Sequence, residues 1–283
     1  SIPQVNSRWE RSDLLNALKM RWGIGRNNST VAPGIYKIGN PDSRSDIFVS
    51  ANYRLSFDIL RKNLDSFNAW ILVLDTKGIN VWCAAGKGTF GTQTLVNSIN
   101  QTSLKELVTH RRLIVPQLGA VGISAHKIKE KTGFRVIFGP ARASGISGFI
   151  KAGYKASLEM RRVRFPFYER AKLIPVDLMY GKYKLLAAAA ILFVLSGLDP
   201  SGFLFLKMIH TSLFPVLNVV TAYITGIVFT PLLLPAIPVR AFSLKGALIS
   251  LISIGLLNLL FDVPGLERIG LGYGELKKTK PDI

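Results

Sequence analysis

The sequence predicts a Rossmann-like α/β domain with a doubly wound parallel sheet, followed by an all-α transmembrane domain. Strand-like and helix-like segments alternate four times between residues 47 and 154, which is typical of a parallel sheet covered by helices. From Leu185 onward the chain is almost continuously apolar, as expected for helices in lipid. Basic residues are concentrated just before that point, as at the cytoplasmic side of a membrane.

The alternation places four strands and the helices between them. The predicted strands are 47–50, 70–75, 113–116 and 135–140, and the predicted helices are 56–63, 92–99, 104–110, 124–131 and 146–154. Residues 1–45 are polar and are predicted to be irregular apart from a short helix at 11–20. The carboxyl ends of parallel strands meet at one edge of the sheet, where ligands bind. Those ends are 75–78, 116–119 and 139–142.

The apolar part is predicted to hold three or four membrane spans. Between Leu185 and Phe261 the charged residues are Asp199, Lys207, Arg240 and Lys245. The length of 203–235 favours two spans there, and four in total. The positive-inside rule instead favours three, with Arg240 and Lys245 facing the cytoplasm. The predicted domains are 1–175, a basic linker at 176–184, the transmembrane part at 185–262 and a polar tail at 263–283.

The positive charge indicates a membrane surface as partner. The formal net charge is +19, which either nucleic acid or an anionic bilayer could explain. A basic cluster precedes the first apolar run, and the basic residues show no interleaving with aromatic residues of the kind that RNA-binding modules use. We therefore predict lipid and no nucleic acid. The chain shows no signal peptide, so the first domain is expected in the cytoplasm and the protein in the inner membrane. The basic residues of the cluster are Lys151, Lys155, Arg161, Arg162, Arg164, Arg170, Lys172, Lys182 and Lys184.

Cys83 is the only cysteine, so the chain can form neither an internal disulfide nor an all-cysteine iron–sulfur cluster. A lone cysteine is usually a small buried apolar residue. Here, however, Asn80 is a good N-cap for a helix that begins at Val81. Cys83 would then lie in the first turn, where the helix dipole favours the thiolate, the form that binds metals.

The neighbouring Gly86-Lys87 pair does not form a phosphate-binding loop. A Walker A motif needs a glycine five residues before the Gly-Lys pair and a serine or threonine after it. Those places hold Val81 and Gly88. The spacing therefore argues against nucleotide binding at this segment.

The segment Asn80-Val81-Trp82-Cys83-Ala84-Ala85-Gly86-Lys87-Gly88-Thr89-Phe90-Gly91-Thr92 resembles the cap-helix signature of the mercury-methylating corrinoid protein family. That family is similar to the large subunit of the corrinoid iron–sulfur protein. The resemblance extends over residues 1 to about 262, through segments such as 21–26, 33–36, 51–58, 116–120 and 240–246. The family usually has five spans, and a fifth is not found in this sequence.

This resemblance implies a cobalamin bound base-off, with the Cys83 thiolate as the lower axial ligand of cobalt. It implies that a methyl group, supplied by a separate methyltransferase, passes to Hg(II) and forms methylmercury. The implied electron carrier is a ferredoxin-like protein with two 4Fe–4S clusters. Two alternatives stay open: a corrinoid methyl carrier for another soft acceptor, and a membrane-anchored thiol protein that binds metal without cobalamin.

The residues predicted to contact the cofactor come from the cap-helix segment and the strand ends. Trp82 and Phe90 could equally be core residues, and Lys87 could equally face solvent. The full set is Thr76, Lys77, Gly78, Asn80, Val81, Trp82, Cys83, Ala84, Ala85, Gly86, Lys87, Thr89, Phe90, Gln117, Gly119, Gly139, Pro140 and Arg142.

Overall fold

The computed structural model describes residues 2–260. The chain divides into two compact units, unit 1 (Ser1–Arg164) and unit 2 (Phe165–Ile283). The predicted tail at 263–283 lies outside the described residues. The predicted boundary between 175 and 176 falls inside one continuous helix, Ile174–Leu195, which also contains the predicted linker at 176–184.

Unit 1 is built on a six-stranded mixed sheet. In space the strands follow the order β1-β2-β4-β3-β5-β6. Strand β3 pairs in parallel with β4 and β5, and β5 with β6, whereas β2 is antiparallel to β4. The predicted α/β class with a parallel-rich sheet is confirmed. The strands are β1 (Gln4–Val5), β2 (Gly34–Ile38), β3 (Ile47–Ala51), β4 (Ala69–Leu74), β5 (Arg112–Val115) and β6 (Arg135–Phe138).

The helices of unit 1 cover both faces of the sheet. Neighbouring residues of a strand point to opposite faces, so each buried strand contributes to both clusters. On one face Val49 packs in a cluster with Leu95, and on the other Phe48 packs in a cluster with Phe149. Because β4 and β5 flank β3, the strand order reverses at β3, where ligands bind in such sheets. The helices are α1 (Arg11–Arg21), α2 (Arg54–Lys62), α3 (Val81–Lys87), α4 (Thr92–Gln101), α5 (Leu104–Leu107), α6 (Ala125–Thr132), α7 (Ile146–Lys151) and α8 (Leu158–Arg161).

The prediction of an irregular segment at 1–45 is wrong where β1 and β2 form. Four of the five β2 residues are only half-buried, so the strand lacks the continuous apolar run that marks a central strand. The helix predicted at 104–110 is also too long, because α5 ends at Leu107 and Val108 is extended. The predicted helix at 11–20 and the four predicted strands are confirmed.

In unit 2 the described residues contain three helical stretches that are long and apolar enough to cross a membrane: Phe167–Leu195, Leu213–Leu233 and Phe242–Leu260. Of the three or four spans that the sequence predicts, the described residues thus contain three candidates. The segment that would supply a fourth, α11 (Phe205–Thr211), has seven residues, about 10 Å of helix, against a hydrocarbon thickness of about 30 Å. The described elements of unit 2 are α9 (Phe167–Ala171), α10 (Ile174–Leu195), β7 (Leu198–Asp199), β8 (Gly202–Phe203), α11 (Phe205–Thr211), α12 (Leu213–Ile224), a π-helical turn (Thr225–Phe229), α13 (Thr230–Leu233) and α14 (Phe242–Leu260).

A buried ion-pair network joins α1 to α2. The Arg61 guanidinium lies 2.6 Å from an Asp13 carboxylate oxygen and 2.8 Å from an Asp58 oxygen. Arg54 approaches the other Asp58 oxygen at 2.9 Å. Asp13, Asp58 and Arg61 are each at most 7% exposed. Removing one partner from such a network leaves an uncompensated buried charge, so the network fixes how α1 sits on the sheet.

This network predicts acid sensitivity of unit 1. Burial alone would raise the pKa of Asp13, but the Arg61 hydrogen bond, the Glu10 backbone N–H and the charges of Arg61 and Arg54 together hold that pKa below its ordinary value of 3.8. Asp13 therefore contributes stability above the unfolded-state pKa, and the contribution is lost as pH falls through the lower folded-state pKa. We expect the free energy of unfolding to fall below about pH 4, and to fall less steeply in an Asp13→Asn variant.

Urea unfolding at a series of pH values, followed by tryptophan emission, measures this dependence because Trp9, Trp22, Trp70 and Trp82 all lie in unit 1. Glu106→Gln is the matched control, since it removes an exposed carboxylate and should keep the wild-type slope. A slope in Asp13→Asn equal to that of the wild type would show that Asp13 does not titrate with unfolding.

Candidate functional site

Helix α3 begins where the sequence predicts. Asn80 has extended backbone angles, and its side-chain oxygen accepts a hydrogen bond from the Cys83 backbone N–H at 3.0 Å. The helix ends at Gly88, which has a φ of 82°. The predicted N-cap at Asn80 and the helix start at Val81 are therefore confirmed.

Cys83 lies exposed in the first turn of α3. The Asn80 side-chain amide donates a hydrogen bond to Cys83 Sγ at 3.5 Å. One asparagine thus holds both the backbone and the sulfur of Cys83. An exposed sulfur can offer an electron pair to a soft metal.

The loop before α3 is held by Asn52, a residue that the sequence analysis did not assign to the site. Asn52 follows β3 and is 5% exposed. Its side-chain oxygen accepts from the backbone N–H groups of Thr76 and Gly78, each at 3.0 Å, and from the Thr76 hydroxyl at 2.8 Å. Its side-chain amide donates to Asp75 at 3.3 Å. Asn52 thus fixes the connection from β4 to α3.

The turn at Lys77-Gly78 has left-handed backbone angles, with φ values of 58° and 69°. A Cβ atom at Gly78 would lie 2.9 Å from the Thr30 methyl group, so this position requires glycine. The Lys77 ammonium lies 2.7 Å from Asp75. Hydrogen bonds from the Lys77 side chain and backbone, opposed by partial burial, hold the pKa of Asp75 below its usual value.

The other side of α3 packs on the turn after β5, a 3₁₀ turn at Gln117–Gly119. A side chain at Gly119 would overlap the Phe90 ring, and a Cβ at Gly122 would lie 3.2 Å from Ala85 Cα and overlap the Phe90 carbonyl. Phe90 is fully buried, so it supports this turn from the core. Gln117 Oε1 is buried and has no hydrogen-bond partner among the described residues.

The structure brings most, but not all, of the predicted site residues together. Thr76 to Phe90 form the loop and helix just described, and Gln117 and Gly119 lie beside them. Gly139, Pro140 and Arg142 follow β6, which is separated from β4 by β3 and β5. Gly139 donates to the Val115 carbonyl at 2.9 Å, and Arg142 donates to the Arg164 carbonyl at 2.7 Å. These contacts tie the β6 end to its own neighbours.

The comparisons with known proteins place this site within a family. Residues 7–150 match the CO dehydrogenase/acetyl-CoA synthase delta subunit family. The chain belongs to this family. The match covers about half of the chain and includes β2 to β6, Asn52 and the whole of α3.

Curated relatives match the same region. The gamma subunit of the acetyl-CoA decarbonylase/synthase complex of Methanocaldococcus jannaschii is 28% identical over 153 residues, 53% of this chain and 31% of that protein. The corresponding subunit of Methanopyrus kandleri is 30% identical over 128 residues, 44% of this chain and 27% of that protein. The corrinoid/iron-sulfur protein large subunit of Moorella thermoacetica is 30% identical over 118 residues, 41% of this chain and 26% of that protein.

The chain thus spans less than a third of the length of each of these relatives. The relation to the corrinoid iron–sulfur protein large subunit, which the cap-helix resemblance implied, is confirmed.

Proposed function

We propose that this protein is a membrane-anchored corrinoid protein that transfers a methyl group to Hg(II), forming methylmercury. The observation that carries the proposal is the exposed Cys83 thiol in the Asn80-capped first turn of α3, inside the region shared with the family. The named corrinoid/iron-sulfur relative supports a corrinoid. The long resemblance around α3 supports mercury as the acceptor.

The residues around Cys83 fit a large flat macrocycle. Added Cβ atoms at Gly86 and Gly88 would meet no atom within 4 Å, so the α3 surface is open there. Trp82, the neighbour of Cys83 in α3, exposes 54% of its surface, which offers apolar area beside the thiol. Gln117 Oε1 is buried without a partner among the described residues and could accept from an amide at the rim of a corrin.

In this proposal Cys83 and Asn80 hold the metal side of the cofactor. The Cys83 thiolate would hold the cobalt of a base-off corrinoid by offering it an electron pair. Asn80 fixes the Cys83 backbone and sulfur, and Asn52 fixes the loop that carries Asn80. The corrinoid, when bound, supplies the chemistry of accepting and giving up a methyl group. A thiolate is an electron-rich ligand, which suits delivery of the methyl group to an electrophilic metal ion.

The proposed partners follow from what the chain contains. With one cysteine, it cannot itself hold an all-cysteine iron–sulfur cluster. We therefore assign electron delivery to a ferredoxin-like protein with two 4Fe–4S clusters, and methyl supply to a separate methyltransferase. We place the three spans in the inner membrane and unit 1 in the cytoplasm. With three spans, Arg240 and Lys245 also face the cytoplasm, as the positive-inside rule favours.

The full chain, purified in detergent and incubated with cobalamin, tests the proposal. We expect corrin absorption bands that stay with the protein on gel filtration, and methylmercury formation when a methyl donor system and Hg(II) are supplied. Failure to retain cobalamin, together with stoichiometric Hg(II) binding at Cys83, would instead indicate a thiol protein that binds metal without a corrinoid.

The same assay also tests a second candidate function. The relatives from Methanocaldococcus jannaschii and Methanopyrus kandleri are gamma subunits of acetyl-CoA decarbonylase/synthase complexes, which favours a corrinoid methyl carrier with an acceptor other than mercury. Such a protein would retain cobalamin and accept the methyl group, yet transfer none of it to Hg(II). Measuring methyl loading and methylmercury in the same sample separates the two candidates.

A further inference from the structure

The outward face of α1 carries large exposed apolar side chains, which is unusual for the solvent side of a surface helix. The inward face carries Asp13, Ala17 and Met20, each at most 7% exposed. The side opposite to it should be polar. Instead, the bulky apolar residues on it and just beyond it are about half exposed: Leu14 54%, Leu15 57%, Leu18 54%, Trp22 42% and Ile24 56%.

Helical geometry gathers three of these side chains on one face. At 100° per residue, Leu15, Leu18 and Trp22 lie within about 60° of one another and point directly away from the inward face, and Arg11 lies on the same face one turn before Leu15. Leu14 and Arg21 flank this face on one side, and Lys19 flanks it on the other. We call Leu15, Leu18 and Trp22, with the flanking Leu14, the α1 stripe.

The charge around the α1 stripe is positive. Residues 8–26 contain five basic side chains and two acidic ones, Glu10 and Asp13. Asp13 is buried against Arg61, so it contributes no exposed negative charge. The basic side chains are Arg8, Arg11, Lys19, Arg21 and Arg26. An exposed tryptophan can anchor at a membrane interface, and neighbouring cations can pair with anionic lipids.

We propose that the α1 stripe docks unit 1 onto an anionic lipid surface. The inference rests on the proposed membrane insertion of unit 2, because a tethered domain meets the bilayer at a high effective concentration. Leu15, Leu18 and Trp22 enter the headgroup region, and the flanking cations pair with anionic lipids. The ion pairs of Asp13 with Arg61 and Arg54 hold the inward face of α1, so the helix docks without leaving the sheet.

The position of the stripe links this surface to the functional site. The segment after α1 reaches the β4–α3 connection, where the Asn27 carbonyl lies 3.2 Å from the position of a Cβ on Gly78. The chain that leaves the docked surface through Trp22 would therefore continue into the segment that contacts the β4–α3 connection.

Tryptophan quenching by brominated phospholipids tests the proposal on the full chain reconstituted in vesicles. All four tryptophans lie in unit 1, so the spans contribute no signal. We expect quenching in vesicles of brominated phosphatidylcholine and phosphatidylglycerol. We expect less with phosphatidylcholine alone, and less again at high salt, which screens the cations. Leu15→Glu/Leu18→Glu should lose most of the quenching, whereas Leu158→Glu, at an exposed leucine outside the stripe, should keep it.

Single tryptophan variants identify the residue that meets lipid. Trp22→Phe should remove most of the quenched emission, whereas Trp82→Phe should leave the quenched emission unchanged. Quenching that survives in Leu15→Glu/Leu18→Glu, or that disappears with Trp82, would overturn the proposal. A Trp22 shielded from aqueous acrylamide but not quenched by lipid would also overturn it, and would show that protein covers the stripe.

Flotation of the same vesicles separates failure of this inference from failure of the proposed insertion. A wild-type chain that does not float with lipid after alkaline washing would argue against spans in unit 2. A chain that floats normally, but in which no tryptophan is quenched, would overturn only the docking of α1.

Discussion

Replacing Cys83 by alanine is expected to abolish the sulfur ligation of cobalt and nearly all methyl transfer. Changing a residue that merely orients a metal ligand typically costs about 10- to 100-fold in activity, so losing the ligand itself should cost more than about 100-fold. The fold should survive, because Cys83 is exposed and such surface changes typically alter stability by about 0.5 kcal/mol or less. The absorption spectrum of the cobalamin-loaded protein measures ligation directly, and urea unfolding measures stability.

The Asn80→Asp variant tests a smaller change at the same site, because it keeps Cys83 and alters the hydrogen bond to its sulfur. An aspartate keeps the side-chain oxygen that caps α3, since aspartate is as good an N-cap as asparagine. It loses the amide N–H that donates to Cys83 Sγ at 3.5 Å and places a negative charge beside the sulfur. We expect an unchanged helix, a shifted spectrum and an intermediate loss of transfer. A Cys83→Ala variant with the wild-type spectrum and activity would show that Cys83 is not the ligand.

The sequence was sufficient to predict the centre of the sheet and the start of the Cys83 helix. Strands β3, β4 and β5 are mostly apolar because they are covered on both faces. Asn80 caps α3 by accepting a hydrogen bond from the backbone N–H of Cys83, only three residues further along the chain. Such signals are local. By contrast, β2 joins the central strands through its antiparallel pairing with β4 and pairs with β1 on its other side, and nothing within its own five residues marks the pairing with β4.

The number of spans shows a different limit of sequence reasoning. Apolar length between residues 203 and 235 is sufficient for two crossings, but α11 ends at Thr211 after seven residues. A hydropathy pattern reports how many apolar residues there are, whereas the break between α11 and α12 decides which of them form one long helix.

Asn52 was not assigned to the site from the sequence because its hydrogen-bond partners, Thr76 and Gly78, are distant from it in the sequence. It lies 28 residues before Asn80 in the sequence, and nothing in its neighbourhood resembles a ligand motif. The parallel pairing of β3 with β4 brings the two strand ends side by side, so that one amide can accept from Thr76 and Gly78. A polar residue directly after a buried strand was the available signal, since ligand sites in such sheets lie at the carboxyl ends of strands.

The Asn52→Ala variant is expected to loosen the Cys83 helix and destabilise unit 1. The change leaves the buried backbone N–H groups of Thr76 and Gly78 without their acceptor. Each unsatisfied buried group costs about 1–3 kcal/mol, so we expect the loss of the acceptor for two groups to lower the free energy of unfolding by about 2–6 kcal/mol. Urea unfolding gives this value. Amide hydrogen exchange of residues 75–88 should accelerate, because the loop that carries Asn80 loses its anchor.

Asn100→Ala is the matched control, since it truncates an exposed asparagine on α4 and should change stability by no more than about 0.5 kcal/mol. Cobalamin retention distinguishes a local effect from a global one. If Asn52 positions the Cys83 helix, the Asn52→Ala variant binds cobalamin more weakly even at a temperature where it is fully folded. Wild-type exchange at residues 75–88 and wild-type cobalamin retention in that variant would show that β4 and the packing of Ala85 against Gly122 position α3 without Asn52.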